Sequence, residues 1–141
     1  MSESRNPTSE EISKQLDLYQ GIISRISSNS SNSKNWCVTV ISAILVFTTA
    51  SSHPRHSWIA IFPLISFCIM DVYYLAIEKS SVSQHELFVA KIHDGTLKTT
   101  DLFKVRPIPK GFYLKSLKSP SIYIFYPPLA ILIVTAYFIH N

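Results

Sequence analysis

Hydrophobic and polar positions divide the chain into three long apolar windows separated by charged segments. Residues 36–50 read WCVTVISAILVFTTA, residues 58–77 read WIAIFPLISFCIMDVYYLAI and residues 122–139 read IYIFYPPLAILIVTAYFI. No Asp, Glu, Lys or Arg occurs at 35–54 or at 119–141, and Asp71 alone interrupts 56–77. A helix rises 1.5 Å per residue and the hydrocarbon core of a bilayer is about 30 Å thick, so about 20 apolar residues cross it. The windows therefore predict three transmembrane helices. Trp36, Trp58, Tyr73, Tyr74, Tyr123 and Tyr137 stand towards their ends, where aromatic rings bridge hydrocarbon and water. The first window begins too far into the chain for a secretory signal peptide, behind a segment that is acidic as well as basic.

Ahead of the first window, Ile12, Leu16, Tyr19, Ile23 and Ile26 follow one another at spacings of four, three, four and three, the repeat of a coiled-coil seam. Thr8 followed by Glu11 has the form of a capping box, and Glu10 and Glu11 suit the positive end of a helix dipole. An amphipathic helix is predicted from about residue 8. So short a seam needs a surface to pack on, from its own chain or a neighbouring copy; the five residues are assigned to oligomerisation. The stretch 27–35, SSNSSNSKN, reads as a linker because Ser and Asn compete for backbone hydrogen bonds. It holds neither Gly nor Pro, so one helix running into the first span stays open as the alternative.

No Gly or Pro lies between Pro63 and Gly95, so the second helix is expected to project beyond its span through Leu87, Phe88 and Ile92 to a stop at Asp94 and Gly95. Beyond it, Phe112, Tyr113, Leu114 and Leu117 beside Lys110, Lys115 and Lys118 suit a short element on an anionic leaflet, an elbow into the third span. The predicted fold is all-α and membrane-integral: an amphipathic segment at 1–34, a hairpin at 35–77, a helix and basic elbow at 78–118, and a third span at 119–141.

Charge supports this division. Charged residues make up 16% of the 141, against roughly a quarter in soluble domains. Of thirteen cations, Arg5, Lys14, Arg25 and Lys34 fall at 1–34, eight fall at 78–118, and Arg55 alone lies in the short turn. Cations resist translocation, so the N-terminus and long loop are expected in the cytoplasm and the turn and His140 outside. The loop cations are spread singly without interleaved aromatics, which gives no specific nucleic-acid site.

Asp71 is the most informative residue, since a carboxylate inside a span costs roughly 2.5 to 3.5 kcal/mol unless it is paired or hydrated. Counting from the span ends places it level with Ile41 and Ser42, with Tyr126 at similar depth. Asp71, Tyr74 and Glu78 share one helical face, and Thr39, Ser42 and Thr49 form a polar stripe on the first span. Together they are candidates for a cation-attracting pore in an oligomer; a structural hydrogen bond from a Tyr or Ser to Asp71 is the simpler alternative. The same counting puts Cys37 and Cys68 at different depths, unfavourable for a disulfide. Pro63, Pro127 and Pro128 are tolerated kinks. No phosphate-binding loop, CxxC pair or complete metal-ligand set occurs, and His53 and His56 read as solvated turn residues, so neither catalysis nor a cofactor nor a metal is expected.

Over residues 18–79, Gln20, Gly21, Arg25, Asn29, Ser30, Lys34, Trp36, Thr39, Ser42, Asp71, Tyr73, Tyr74 and Glu78 resemble the pattern of SLATT-type two-span membrane proteins. That resemblance implies a bacterial inner-membrane protein of anti-phage defence, a homo-oligomer that permeabilises the membrane when a partner enzyme or nucleotide signal activates it. It also implies that the N-terminal helix continues into the first span. A third span departs from the pattern. A second implied role, similar to the accessory membrane proteins of RADAR-like systems, is a nonconducting anchor that recruits a soluble defence enzyme.

Overall fold

A computed structural model describes residues 5–50, 54–104 and 107–139, with the side chains of Pro54, Arg55 and Ile139 excepted. His53, Arg106 and His140, and the Arg55 side chain, lie outside the described residues. The described residues are helical, with no strand among them. Helix α1 runs Ser9–Ala50, α2 Ile61–His93, α3 Lys110–Leu117 and α4 Pro120–Ile139, and short 3₁₀ turns occupy Pro54–Ala60 and Thr99–Asp101. At 1.5 Å per residue, the 42 residues of α1 extend about 63 Å and the 33 of α2 about 50 Å. Three helices, α1, α2 with the turn before it, and α4, are long and apolar enough to cross a membrane.

The N-terminus of α1 forms as its sequence predicts. The Thr8 amide donates to Glu11 Oε2 at 2.8 Å and the Glu11 amide to Thr8 Oγ1 at 3.3 Å, a reciprocal box that satisfies two otherwise free donors. The Ser/Asn stretch is helix, so the linker expectation gives way to the continuous helix. The reason is tertiary. The seam of Ile12 to Ile26 continues through Ser30, Ser33, Cys37 and Ile41, all buried, and small side chains there let α2 approach closely. Packing on a long partner outweighs the modest helix propensity of Ser and Asn.

Folded against each other, α1 and α2 bury two apolar clusters. One joins Cys37 and Ile41 to Leu64, Val72 and Leu75, with Ile122, Tyr126 and Ile133 of α4 completing it. The other, at the far end of the hairpin, centres on Phe88, Leu97 and Leu102, with Ile12, Leu16, Tyr19 and Ile92 packed around them. Tyr19 sets its ring edge-on to His85 at 5.8 Å and tilted to Phe88 at 5.9 Å. Ser30, Ser33, Lys34 and Asp71 occupy the seam between the clusters.

A complete Schellman turn ends α2: the Gly95 amide donates to the Ile92 carbonyl and the Thr96 amide to the Lys91 carbonyl, with Gly95 at φ +65°. The following loop folds back over the start of α1, where the Thr99 amide and hydroxyl both donate to the Arg5 carbonyl. Helix α3 lies against α2, with Tyr113 stacked on Tyr73 at 6.4 Å and Lys79 Nζ donating to the Lys115 carbonyl. Two residues later α4 begins. Its stripe Ile122, Tyr126 and Ile133 faces the hairpin, while Pro127 and Pro128 face outwards.

Outside the clusters the span-length segments are apolar: Val46, Phe47, Phe62, Ile69, Ile124 and Phe138 are each at least 66% exposed. Soluble monomers seldom leave so extended an apolar belt uncovered. The belt is compatible with a membrane protein.

Candidate functional site

Asp71 is fully buried, and two α1 side chains one turn apart meet it. The Ser30 hydroxyl donates to Asp71 Oδ1, and Lys34 Nζ stands 3.0 Å from Oδ2 and 3.3 Å from Oδ1. Lys34 also donates to Ser30 Oγ at 3.2 Å. Each of the three therefore contacts the other two. The lysine side chain keeps 18% of its surface exposed while the carboxylate has none, so the aliphatic stem is packed and the ammonium reaches the outer edge of the pair. Attraction between such charges far exceeds its value in water, which offsets the burial of the carboxylate.

This places Asp71 opposite Lys34, not Ser42, a difference of eight residues or about two helical turns. The expected depth is corrected for a structural reason. Counting inwards from matched span ends assumed a short loop between two equal helices, whereas Pro54–Ala60 is a helical turn that packs on both α1 and α4. The hairpin therefore turns closer to its first span than the counting allowed. The same shift brings Cys37 and Cys68 into one apolar cluster, correcting their expected separation in depth; both are free thiols.

Tyr126 is buried, and its hydroxyl donates to the Phe67 carbonyl at 3.1 Å, one turn before Asp71 on α2. Tyr74 and Glu78 are half-buried further along α2, Tyr74 with its ring tilted against Tyr73. Thr39 and Ser42 are exposed on the outer face of α1, and Thr39 and Thr49 return their hydroxyls to their own helix, at the Asn35 and Leu45 carbonyls. Within one chain, then, the polar stripe and Asp71 lie on different faces and do not line a common surface. Of the five residues assigned to oligomerisation, Ile12, Leu16 and Tyr19 pack against Phe88, Leu97 and Leu102 of their own chain, and Ile23 and Ile26 are half-buried along the same seam.

In the sequence Lys34 stands as a topological charge and Ser30 as part of the linker, and the SLATT resemblance includes both without giving either a role. Carrying the four-three spacing of Ile12 to Ile26 onwards reaches Ser30 directly, and that signal was present.

A second feature lies beyond the polar layer. Phe103 has φ +54°, a left-handed conformation costly for a residue with a β-carbon. Its amide donates to Gln15 Oε1 at 2.9 Å, and Gln15 is buried. Held this way, the ring stands 57% exposed over a groove of about 370 Å³ whose apolar lining is Leu18, Ile22, Ile77 and Ile108. Leu18, Ile22 and Phe103 also border the adjoining concavity that carries Lys14, Asp17 and Arg25. Among the described residues no cluster of three or more His, Cys, Asp and Glu is arranged to hold a metal.

No protein-family model, curated protein or solved structure matches the chain.

Proposed function

We propose that this protein is a nonconducting anchor of the bacterial inner membrane whose projecting helical stalk recruits a soluble partner, which the SLATT and RADAR-like resemblance implies is a defence enzyme. In this reading the stalk, formed by the first part of α1, the last part of α2 and the loop over them, stands in the cytoplasm with twelve of the thirteen cations, and α4 ends outside. The observation that carries it is the groove under Phe103. Leu18, Ile22 and Phe103 are exposed apolar side chains gathered at one place away from the span-length belt. With Lys104 in its lining, and Lys14 and Arg25 beside Asp17 in the adjoining concavity, the groove fits an amphipathic helix bearing acidic residues. Two further features favour an anchor over a pore: the one carboxylate in the span windows is ion-paired inside the chain, and the N-terminal seam is filled.

The test joins two measurements. Liposomes holding the full-length protein are expected to remain tight to ions at every protein density, and a soluble protein is expected to co-purify in fixed stoichiometry from the native membrane. Leu18→Asp with Ile22→Asp should release that protein while leaving insertion unchanged. Ion flux abolished by Thr39→Val with Ser42→Ala would replace the anchor with the effector channel.

The channel is the second reading, favoured by one observation: Thr39, Ser42 and Thr49 face outwards from the belt. A pore of that kind would assemble around α1 and would not use Asp71.

A further inference from the structure

We propose that α3 is a docking plate for anionic phospholipid headgroups, holding the junction between stalk and third span on the membrane surface. The inference rests on α4 crossing a membrane and is independent of partner recruitment. Only Lys118 and Ser119 separate α3 from α4, so wherever α4 enters the bilayer, α3 lies at its edge.

Its surface has the chemistry that such a position recognises. From Leu102 to the last residue there is no Asp or Glu, while Lys104, Arg106, Lys110, Lys115 and Lys118 are all cationic. Lys110, Leu114, Leu117 and Lys118 are spaced to share one helical face. Leu114 and Leu117 are 67% and 48% exposed, and Lys110 and Lys115 of α3 and Lys118 just after it are exposed as well. Leucines between lysines match a phospholipid, whose phosphate lies above its acyl chains: the leucines enter the headgroup boundary and the lysine stems lie along it with their ammonium groups on phosphate. A nucleic acid would satisfy the lysines and leave the leucines against water, and the position of α3 at the start of α4 favours the lipid over an acidic protein.

The plate is rigidly seated. On its other side Tyr113 stacks on Tyr73, and Lys79 holds the Lys115 carbonyl at 3.1 Å. The stacked Tyr73 stands two residues from Asp71 on α2.

The experiment uses purified full-length protein in nanodiscs and native mass spectrometry of retained lipid, comparing phosphatidylglycerol with phosphatidylcholine. Wild type should retain phosphatidylglycerol preferentially, and the preference should fall steeply as salt rises from about 0.05 to 0.5 M. Lys110→Gln, Lys115→Gln and Lys118→Gln together should remove it, with about a fivefold loss for each lysine. Replacing the same three by Arg should keep it, and Lys14→Gln with Arg25→Gln, on the stalk, should leave it unchanged. Inorganic phosphate at millimolar concentration should not displace the lipid. Equal retention of the two lipids by wild type, or an undiminished preference in the triple Gln variant, would overturn the proposal. The salt titration needs no variant: a wild-type preference that does not fall with salt overturns the headgroup contact even if the triple substitution fails to fold. Failure of wild type to co-purify any soluble partner, with its lipid preference intact, would refute the recruitment reading alone.

Discussion

Lys34 on α1 and Asp71 on α2 form an ion pair across the hairpin, Nζ to Oδ2 at 3.0 Å, in which the carboxylate is wholly buried and the lysine only mostly so. That asymmetry fixes how each partner responds to loss of the other. Lys34→Met strands a buried carboxylate and should destabilise by about 3 kcal/mol, whereas Asp71→Asn keeps an acceptor for Ser30 and leaves Lys34 able to extend to water. Lys34→Met with Asp71→Leu should recover most of the loss. Thermal unfolding in detergent, followed by circular dichroism across this double-mutant cycle, checks the order.

Phe103 sets backbone strain against a surface. Phe103→Gly relieves the positive φ and should leave the fold as stable as wild type or about 1 kcal/mol more so, while removing the ring from the groove. Under the recruitment reading, a stable protein that no longer co-purifies its partner is expected. A loss of more than about 2 kcal/mol in thermal unfolding would instead mark Phe103 as a packing residue.

Gly95 closes the Schellman turn at φ +65° with open space around its α-carbon. Gly95→Ala meets no clash, so its cost is purely conformational, about 1 kcal/mol. Hydrogen exchange should show it as faster opening of the last turn of α2, with the apolar cluster around Ile41 and Leu64 unaffected.

Two carboxylates at the end of the stalk make it acid-sensitive. The Thr8 amide and then Arg5 hold Glu11 below the usual range, and Lys91, followed by the Lys98 amide, does so for Asp101. A carboxyl lowered in the native state stabilises fully above its unfolded value and loses that contribution as pH falls through the lowered one. The first turn of α1 and the 97–104 loop should therefore loosen below the ordinary carboxylate range and tighten again on neutralisation. Hydrogen exchange at pH 7 and pH 3, corrected for intrinsic rates, tests this. Lys91→Met should shift the transition of the loop upwards in pH.

The sequence by itself determined the helices, because their signals are local: charge-free windows of span length, a capping box at Thr8 and Glu11, a Gly95 stop, and a four-three seam. It also marked Asp71 as a group needing a partner. Tertiary structure decided who that partner is. The choice of Lys34 and Ser30 over Ser42 depends on where the hairpin turns, and that depends on how Pro54–Ala60 packs between α1 and α4. The helical state of the Ser/Asn stretch was decided the same way, since Ser and Asn are modest helix formers alone, yet the small serines allow the close approach that brings Ser30 to Asp71. The groove under Phe103 was not legible, because it joins Gln15 to an amide 88 residues away and no periodicity in the chain records such a contact.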